Sequence, residues 1–468
     1  MDFRFLSHRL SAGAKSATKD MTAGEPARLI LFYSLPLLIG NIFQQMYNMA
    51  DTIIVGRLLG PYDLAAVGNT GPMNFLVLGF AYGLSSGFAV ITAQKFGAKD
   101  WQGLRRSAAM NITLNVLCSL VLTLLACFSA MPLLRAIHTP PEIIQHSYNY
   151  IIVIFAGLIT CSMYNCAACL LRAVGDSTSP LVFLVISSLL NIVLDIVMIL
   201  NLHMGVAGAA WATVISQALS ALLSFVWIAA KFPMLHVRRS DFAWNSWFAA
   251  QHMKIGANMA FQFSITAIGV IIIQGALNLF GPIKMAAYTA AQKVEQLVTV
   301  AAGTFGVTMA NYGGQNLGAR RIDRIKEGTN KACIITICFA ILSAALALGL
   351  SRELIGLFIK DDDGQVYAAA RQYLEITTPF FPVLFILFIY RNILQSIGRG
   401  FWPLMGGVFE LLARGVAAYT LPAVWGFAGV CAAEPLAWCA ATFPLAAAYY
   451  IIIKKFKVGA ERKAAAKA

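Results

Sequence analysis

Long uncharged runs alternate with short polar, mostly basic segments along nearly the whole chain. Ala108–Leu134, Leu181–Ala230 (broken only by Asp195 and His203) and Ala332–Leu350 stay apolar for longer than a soluble helix needs. About 20 apolar residues of helix cross a bilayer core. On that measure the pattern predicts twelve spans, in two sets. The first six lie near residues 29–57, 64–94, 104–130, 145–171, 180–200 and 206–230. The second six lie near 254–280, 286–313, 330–350, 369–396, 403–423 and 428–453. The fold class is all-α integral membrane.

The two sets repeat each other. Gly60-Pro61 with Leu64-Ala65-Ala66 matches Gly281-Pro282 with Met285-Ala286-Ala287, and Gln94…Gly97-Ala98-Lys99 matches Gln315…Gly318-Ala319-Arg320, both at an offset of 221. Gly175 and Pro180 match Gly398 and Pro403 at 223, and Gly205…Gly208 matches Gly426…Gly429 at 221. Six spans per unit is an even number, so both copies insert the same way round. The expected architecture is two six-helix lobes related by a pseudo-two-fold axis along the membrane normal, a symmetry found in secondary transporters. The chain divides into an N-terminal tail (1–28), a first lobe (29–230), a linker (231–253), a second lobe (254–453) and a basic tail (454–468).

Composition agrees with the span pattern: 59% of residues are hydrophobic and 12% charged, against about 25% charged in soluble chains. The net charge of +14 does not mark a nucleic-acid binder, because the bases punctuate apolar runs and form no single patch. With twelve spans and an internal N-terminus, 27 Lys and Arg residues fall on inner segments. Six fall outside: Arg57, Arg135, Lys284, Arg352, Lys360 and Arg371. The positive-inside bias then places both termini in the cytoplasm. Met1–Glu25 is polar, without the apolar stretch of a signal peptide. All nine cysteines lie in apolar runs, which argues against a disulfide framework. Cys166-Ala-Ala-Cys169 has the spacing of a redox or zinc pair, but its apolar flanks favour small-residue packing.

Polar side chains inside the spans carry the chemistry. Asn41, Gln44, Asn48 and Asp51 follow in steps of three, four and three, so they share one face of the first span. An Asp at a helix centre costs about 2.5–3.5 kcal/mol on insertion scales, so the stripe is expected to face the lobe interior or a cavity. Pro36 removes a backbone hydrogen bond in the same span and makes it a hinge candidate. Asn191 and Asp195 are one turn apart on the fifth span, and Thr213 lies on the sixth. Two carboxylates, an amide and a hydroxyl form an all-oxygen set suited to H⁺ or Na⁺. Isolated Asn and Thr often only join helices. Two carboxylates without a nearby basic residue in the same half are less easily assigned to that role.

The second half is arranged differently. Position 51 maps onto Ile271 or Ile272, and Asp195 onto Ala417 or Ala418, whereas Thr213 maps onto Glu434. Glu295, Glu410 and Glu434 are its intramembrane acids. Glu410 and Arg414 are spaced i,i+4, as an internal ion pair would be. Glu295 and Glu434 are candidates for contacting a cationic substrate. Gly79, Gly83 and Gly87 recur every fourth residue, a pattern for close packing within a lobe. Asp361-Asp362-Asp363-Gly364 lacks the ligand spacing of a calcium loop and reads as a solvated outer turn. No P-loop, GxSxG, HExxH or Ser/His/Asp pattern occurs, so an enzyme is not expected, nor any cofactor beyond a coupling ion.

Ser34-Leu35-Pro36 followed by Asp51-Thr52-Ile53-Ile54-Val55-Gly56 resembles the first span of the multidrug and toxic compound extrusion (MATE) family, as do the Gln-x-x-Gly-Ala segments at Gln94 and Gln315. The resemblance runs from about Gly24 to Lys455. It implies H⁺- or Na⁺-driven export of cationic, amphipathic compounds by a monomer with only its lipid bilayer as surroundings, in a bacterial plasma membrane. It also implies a cation site at Asp51, Asn191, Asp195 and Thr213, with Pro36 where the first helix bends. One branch of the family adds a Glu in span seven, where this sequence has no acid. The competing readings are a flippase for lipid-linked saccharides, whose cavity should be lined with bases, and a membrane-embedded enzyme.

Overall fold

The structure is a computed structural model that describes residues 19–137, 139–358 and 364–465, and among these it contains helices and turns but no strand. The expectations placed on residues 1–18, the turn at Asp361-Asp362-Asp363 and the last three residues of the basic tail lie outside the described residues. Ten stretches are long and apolar enough to cross a membrane, and a bent pair, Pro141–Ala156 with Leu158–Ala173 (46°), makes an eleventh. One of the ten, Ser246–Gly318, has 73 residues, which at 1.5 Å per residue is several times a bilayer's thickness. It breaks at the short turn Asn278–Phe280, after which Gly281 takes φ +77°. It therefore counts as two spans, which makes twelve among the described residues.

We number them α1 (Pro26–Leu59), α2 (Tyr62–Gly97), α3 (Trp101–Ala136), α4 (the bent pair), α5 (Thr178–Ile196) and α6 (Gly205–Lys231). The second set is α7 (Ser246–Leu277), α8 (Gly281–Gly318), α9 (Ile322–Gly349), α10 (Gln365–Ser396), α11 (Phe401–Trp425) and α12 (Phe427–Phe456).

The sequence repeat has a backbone cause. Gly60 and Gly281 (φ +92° and +77°), Gly175 and Gly398 (+93° and +77°), and Gly205 and Gly426 (+59° and +56°) all take left-handed φ at matching helix junctions. Lys99 and Arg320, at φ 55° and 59°, occupy the equivalent turn after α2 and α8. A side chain at positive φ is strained and glycine is not, so the junctions of both copies keep glycine while the spans between them diverge.

The chain forms two compact units. Of the described residues, unit 1 comprises Lys19–Met21 and those within Leu35–Phe263, and unit 2 comprises Thr22–Ser34 and those from Ser264 onward. The first quarter of α1, Pro26–Ser34, thus belongs to unit 2, where Glu25 reaches Lys331 of α9 at 3.7 Å. The chain passes to unit 1 between Ser34 and Leu35, just before Pro36. Pro36 sits inside the continuous helix Pro26–Leu59. The segment that the sequence marks as a linker is not a loose tether. Phe232 and Leu235 are buried against Phe96, Leu104, Leu171 and Ile228 of unit 1.

Unit 1 also holds the first half of α7 through the α2 glycines. A Cβ on Gly83 would stand 2.6 Å from Ala260 Cα, and one on Gly87 2.5 Å from Gly256 Cα. Neither backbone can step aside. Gly83→Ala is expected to cost about 1–3 kcal/mol and lower the unfolding temperature of the purified protein. Gly68→Ala, where an added Cβ meets nothing within 4 Å, is expected to be neutral or stabilising. Equal unfolding temperatures for the two variants would disprove the close contact. Cys166 and Cys169 are buried in the same unit as free thiols, Cys166 Sγ donating to Asn111 Oδ1 at 3.4 Å.

Candidate functional site

Three helices of unit 1 bring the sequence-marked residues together. Asp195 is fully buried, and the helix widens immediately after it into one π turn, Val197–Asn201, with Leu202 N donating to Val197 O at 3.1 Å. Such wide turns concentrate at functional positions. Asn191, one turn earlier and 1% exposed, accepts from Tyr47 Oη at 2.5 Å and donates to Thr213 Oγ1 at 3.5 Å. The Thr213 hydroxyl in turn donates to Ala209 O at 3.1 Å, leaving its lone pairs as acceptors. Asp51, half-buried on α1, lies within electrostatic reach of Asp195, Tyr47 and Tyr150. Neither carboxylate oxygen of Asp195, nor Oδ1 of Asp51, has a hydrogen-bond partner in the protein. Buried acceptors without donors are costly, and this donor set fits a proton or a small hard cation better than a transition metal.

Beside this cluster unit 1 forms a half-open cavity of about 490 Å³. Pro36, Asn41, Gln44 and Tyr47 of α1 form one wall; Tyr82, Tyr164, Ser187, Ser188, Thr213 and Gln217 supply polar groups on the others. Tyr47 and Thr213 therefore touch both the cavity and the carboxylate cluster. Asn48 does not line it: its side chain is exposed, and its carbonyl accepts from Thr52 Oγ1 at 2.8 Å.

Among the lining residues that the sequence pattern does not single out, Tyr47 and Arg172 bear most on the chemistry. Tyr47 stands four residues before Asp51, hence on nearly the same helix face, and that spacing is the signal that could have found it. Arg172 gives the cavity a base, in the last turn of α4. It donates to Cys169 Sγ at 3.0 Å and sits at the end where α5 begins, while Asp195 stands where α5 ends.

In unit 2 the acids are engaged. Glu410 accepts from Arg391 Nη2 at 2.6 Å and Arg414 Nη2 at 2.9 Å, and Arg414 also donates to Glu434 Oε2 at 2.8 Å. All four are buried. Glu295, also buried, accepts from Tyr373 Oη at 2.7 Å. At the local offset of 223 Arg414 corresponds to Asn191, and at 221 Glu434 corresponds to Thr213. The same place in the two repeats thus holds an uncompensated carboxylate cluster in one and a neutralised ion-pair network in the other. Glu295 and Glu434 lie in these buried contacts of unit 2 and do not line the unit 1 cavity. Among the described residues no three His, Cys, Asp or Glu side chains group as a metal site.

The MatE family model matches residues 36–197 and again 255–420, one copy in each half. The chain belongs to the MatE family. Members are transporters, not enzymes, and this MatE protein is a multi-pass membrane transporter. It is 27% identical over 380 residues to the probable multidrug resistance protein YpnP of Bacillus subtilis, covering 81% of this chain and 84% of that one. The multidrug export protein MepA of Staphylococcus haemolyticus is 20% identical over 411 residues, 86% and 88% of the two chains. The outward-facing structure of a multidrug resistance MATE family transporter has the same fold, with TM-score 0.87 over 94% of this chain and 98% of that one, at 23% identity.

Removing the Tyr47 hydroxyl tests the link between cavity and cluster. Tyr47→Phe leaves the Asn191 carbonyl oxygen without its donor, a loss of about 1–3 kcal/mol. The expected result is a driving-ion requirement raised by about tenfold or more in transport titrations, with unchanged expression. An unaltered titration would show that this hydrogen bond only joins helices.

Proposed function

We propose that this MatE transporter is a secondary antiporter that exports cationic and amphipathic toxic compounds or drugs in exchange for H⁺ or Na⁺. Both termini face the cytoplasm, the membrane is the bacterial plasma membrane, and the working unit is the monomer. The observation that carries the reading is the meeting of Asp51 and Asp195 with Asn191, Thr213 and Tyr47 at the wall of the unit 1 cavity. Burial and mutual repulsion disfavour two ionised carboxylates side by side, so a proton or Na⁺ taken up there stabilises the cluster. Tyr47 and Thr213 belong to both site and cavity, which gives the ion a route to alter the substrate wall. Pro36, which lines the cavity beside the change of unit along α1, is the proposed bending point. Asn41 and Gln44 offer amides to the substrate. The multidrug names of the relatives support this substrate class. One charge moving across 100 mV supplies about 2.3 kcal/mol, and one pH unit about 1.4 kcal/mol.

The test is efflux of a cationic dye from proteoliposomes with Na⁺ and pH gradients imposed separately. Gradient-dependent efflux with either ion supports the antiporter. Facilitated movement that ignores both gradients overturns it, and so does turnover of a lipid-linked saccharide in place of the dye.

A further inference from the structure

A second crevice, of about 300 Å³, opens in unit 1 beneath the segment joining α6 to α7. Its walls are apolar: Ala108 and Ile112 of α3, Leu170 of α4, and Phe225 and Ile228 of α6. Leu235, His236 and Val237 roof it, and His236 Nε2 donates to Ala229 O at 2.6 Å, tying the roof to α6 at the crevice mouth.

The rim is basic. Lys231 follows Ala229 by two residues, Arg238 and Arg239 follow Val237 directly, and Arg105 and Arg106 precede Ala108 by three and two residues. Asp241 answers part of this charge through a 3.6 Å contact to Arg105, Asp100 lies within electrostatic reach of Arg106, and Lys231 Nζ stands 5.6 Å from the centre of the Trp227 ring. Among the described residues Lys231, Arg106, Arg238 and Arg239 make no salt bridge. Beyond the rim, Phe242, Trp244 and Trp247 are 50%, 57% and 70% exposed. Large exposed rings beside bases belong at the headgroup level of a membrane. An apolar slot opening under bases that outnumber the acids beside them, at that depth, complements one molecular class: an acyl chain carrying a negatively charged head.

We propose that this crevice binds an anionic phospholipid, one acyl chain lying against Ile112, Phe225 and Ile228 and the phosphate held by Lys231, Arg238 and Arg239. The site is independent of the carboxylate cluster and of the ion that drives transport. Because the roof is part of the segment leading into α7, a bound lipid also pins that segment to unit 1. A net negative head is favoured over a zwitterionic one, since each base near an anionic lipid surface adds to the attraction. A free phosphate ester has nothing to place in the slot.

The experiment uses the purified full chain in detergent, titrated with phosphatidylglycerol or phosphatidylcholine and read by native mass spectrometry. Wild type is expected to retain phosphatidylglycerol in preference by about tenfold or more. Lys231→Gln/Arg238→Gln/Arg239→Gln should lose the preference while keeping some lipid. Ala229→Trp, which fills the mouth, should lower retention of both lipids, and soluble glycerol 3-phosphate should displace neither. Size-exclusion profiles matching wild type establish that the variants are folded. Equal retention of the two lipids by wild type, retention unchanged in the triple variant or in Ala229→Trp, or displacement by glycerol 3-phosphate would each overturn the proposal.

Discussion

Asp195→Asn will abolish the response of efflux to an imposed H⁺ or Na⁺ gradient, for every substrate, and Asp51→Asn will do the same. Asparagine keeps the shape of the side chain but cannot titrate or carry the charge that attracts a cation. At position 195 nothing nearby can substitute. The carboxylate is fully buried, its oxygens have no hydrogen-bond donor in the protein, and its charged neighbour is Asp51. The fold should survive, because the amide removes a repulsion between two acids and Asn191 keeps its bonds to Tyr47 and Thr213. Gradient-driven efflux should therefore fall to the level of empty liposomes while yield and unfolding temperature stay near wild type. Glu295→Gln is the matched control. Glu295 is buried against Tyr373 and lines no part of the unit 1 cavity, so both coupling and the ratio of cationic to neutral dye export should stay near wild type. If Glu295→Gln uncouples both dyes while Asp195→Asn still responds to the gradient, the coupling site lies in unit 2 and the assignment is reversed.

Arg414→Met is expected to be the most destabilising single change in unit 2, at about 3–5 kcal/mol. Arg414 is the only base bonded to Glu434 among the described residues, and it shares Glu410 with Arg391. Its loss leaves Glu434 as a buried acid without a counter-charge. Glu410 keeps Arg391 and should suffer less. Arg414→Met/Glu434→Gln removes the stranded charge along with its partner, so most of the loss should return, with a coupling energy of about 0.5–3 kcal/mol. Thermal unfolding of purified wild type, both single variants and the double variant gives the cycle directly. A stable Arg414→Met protein, or a double variant no better than the sum of its parts, would show that the network contributes little. Transport by the double variant is expected to remain gradient-driven, which separates this network's structural role from the cluster in unit 1.

Twelve spans and their two-fold repetition were legible in the residues because both rest on local physics. A helix in hydrocarbon needs about 20 apolar residues whatever its neighbours are, and a left-handed junction selects glycine whatever follows, as at Gly60 and Gly281. Asp51, Asn191, Asp195 and Thr213 stood out for a similar reason: a polar group in an apolar span is conspicuous and costly. The i,i+4 pairing of Glu410 with Arg414 was readable too, since one helix turn sets it.

Tertiary structure decided which of those residues meet. On an ideal helical wheel Tyr47 lies about 40° from Asp51 and Asn48 about 60° to the other side, a difference too small to rank them. The rotation of α1 against α5 turns Tyr47 onto Asn191 and leaves Asn48 exposed. Arg172 joined the cavity wall in the same way, through the placement of α4. The ties of Arg414 to Glu434 and of Glu295 to Tyr373 span 20 and 78 residues of chain. Local spacing therefore determined the helices, their repeat and the pool of chemically active side chains. Helix rotation and packing, which no single span encodes, decided that one repeat keeps bare carboxylates while the other neutralises its own.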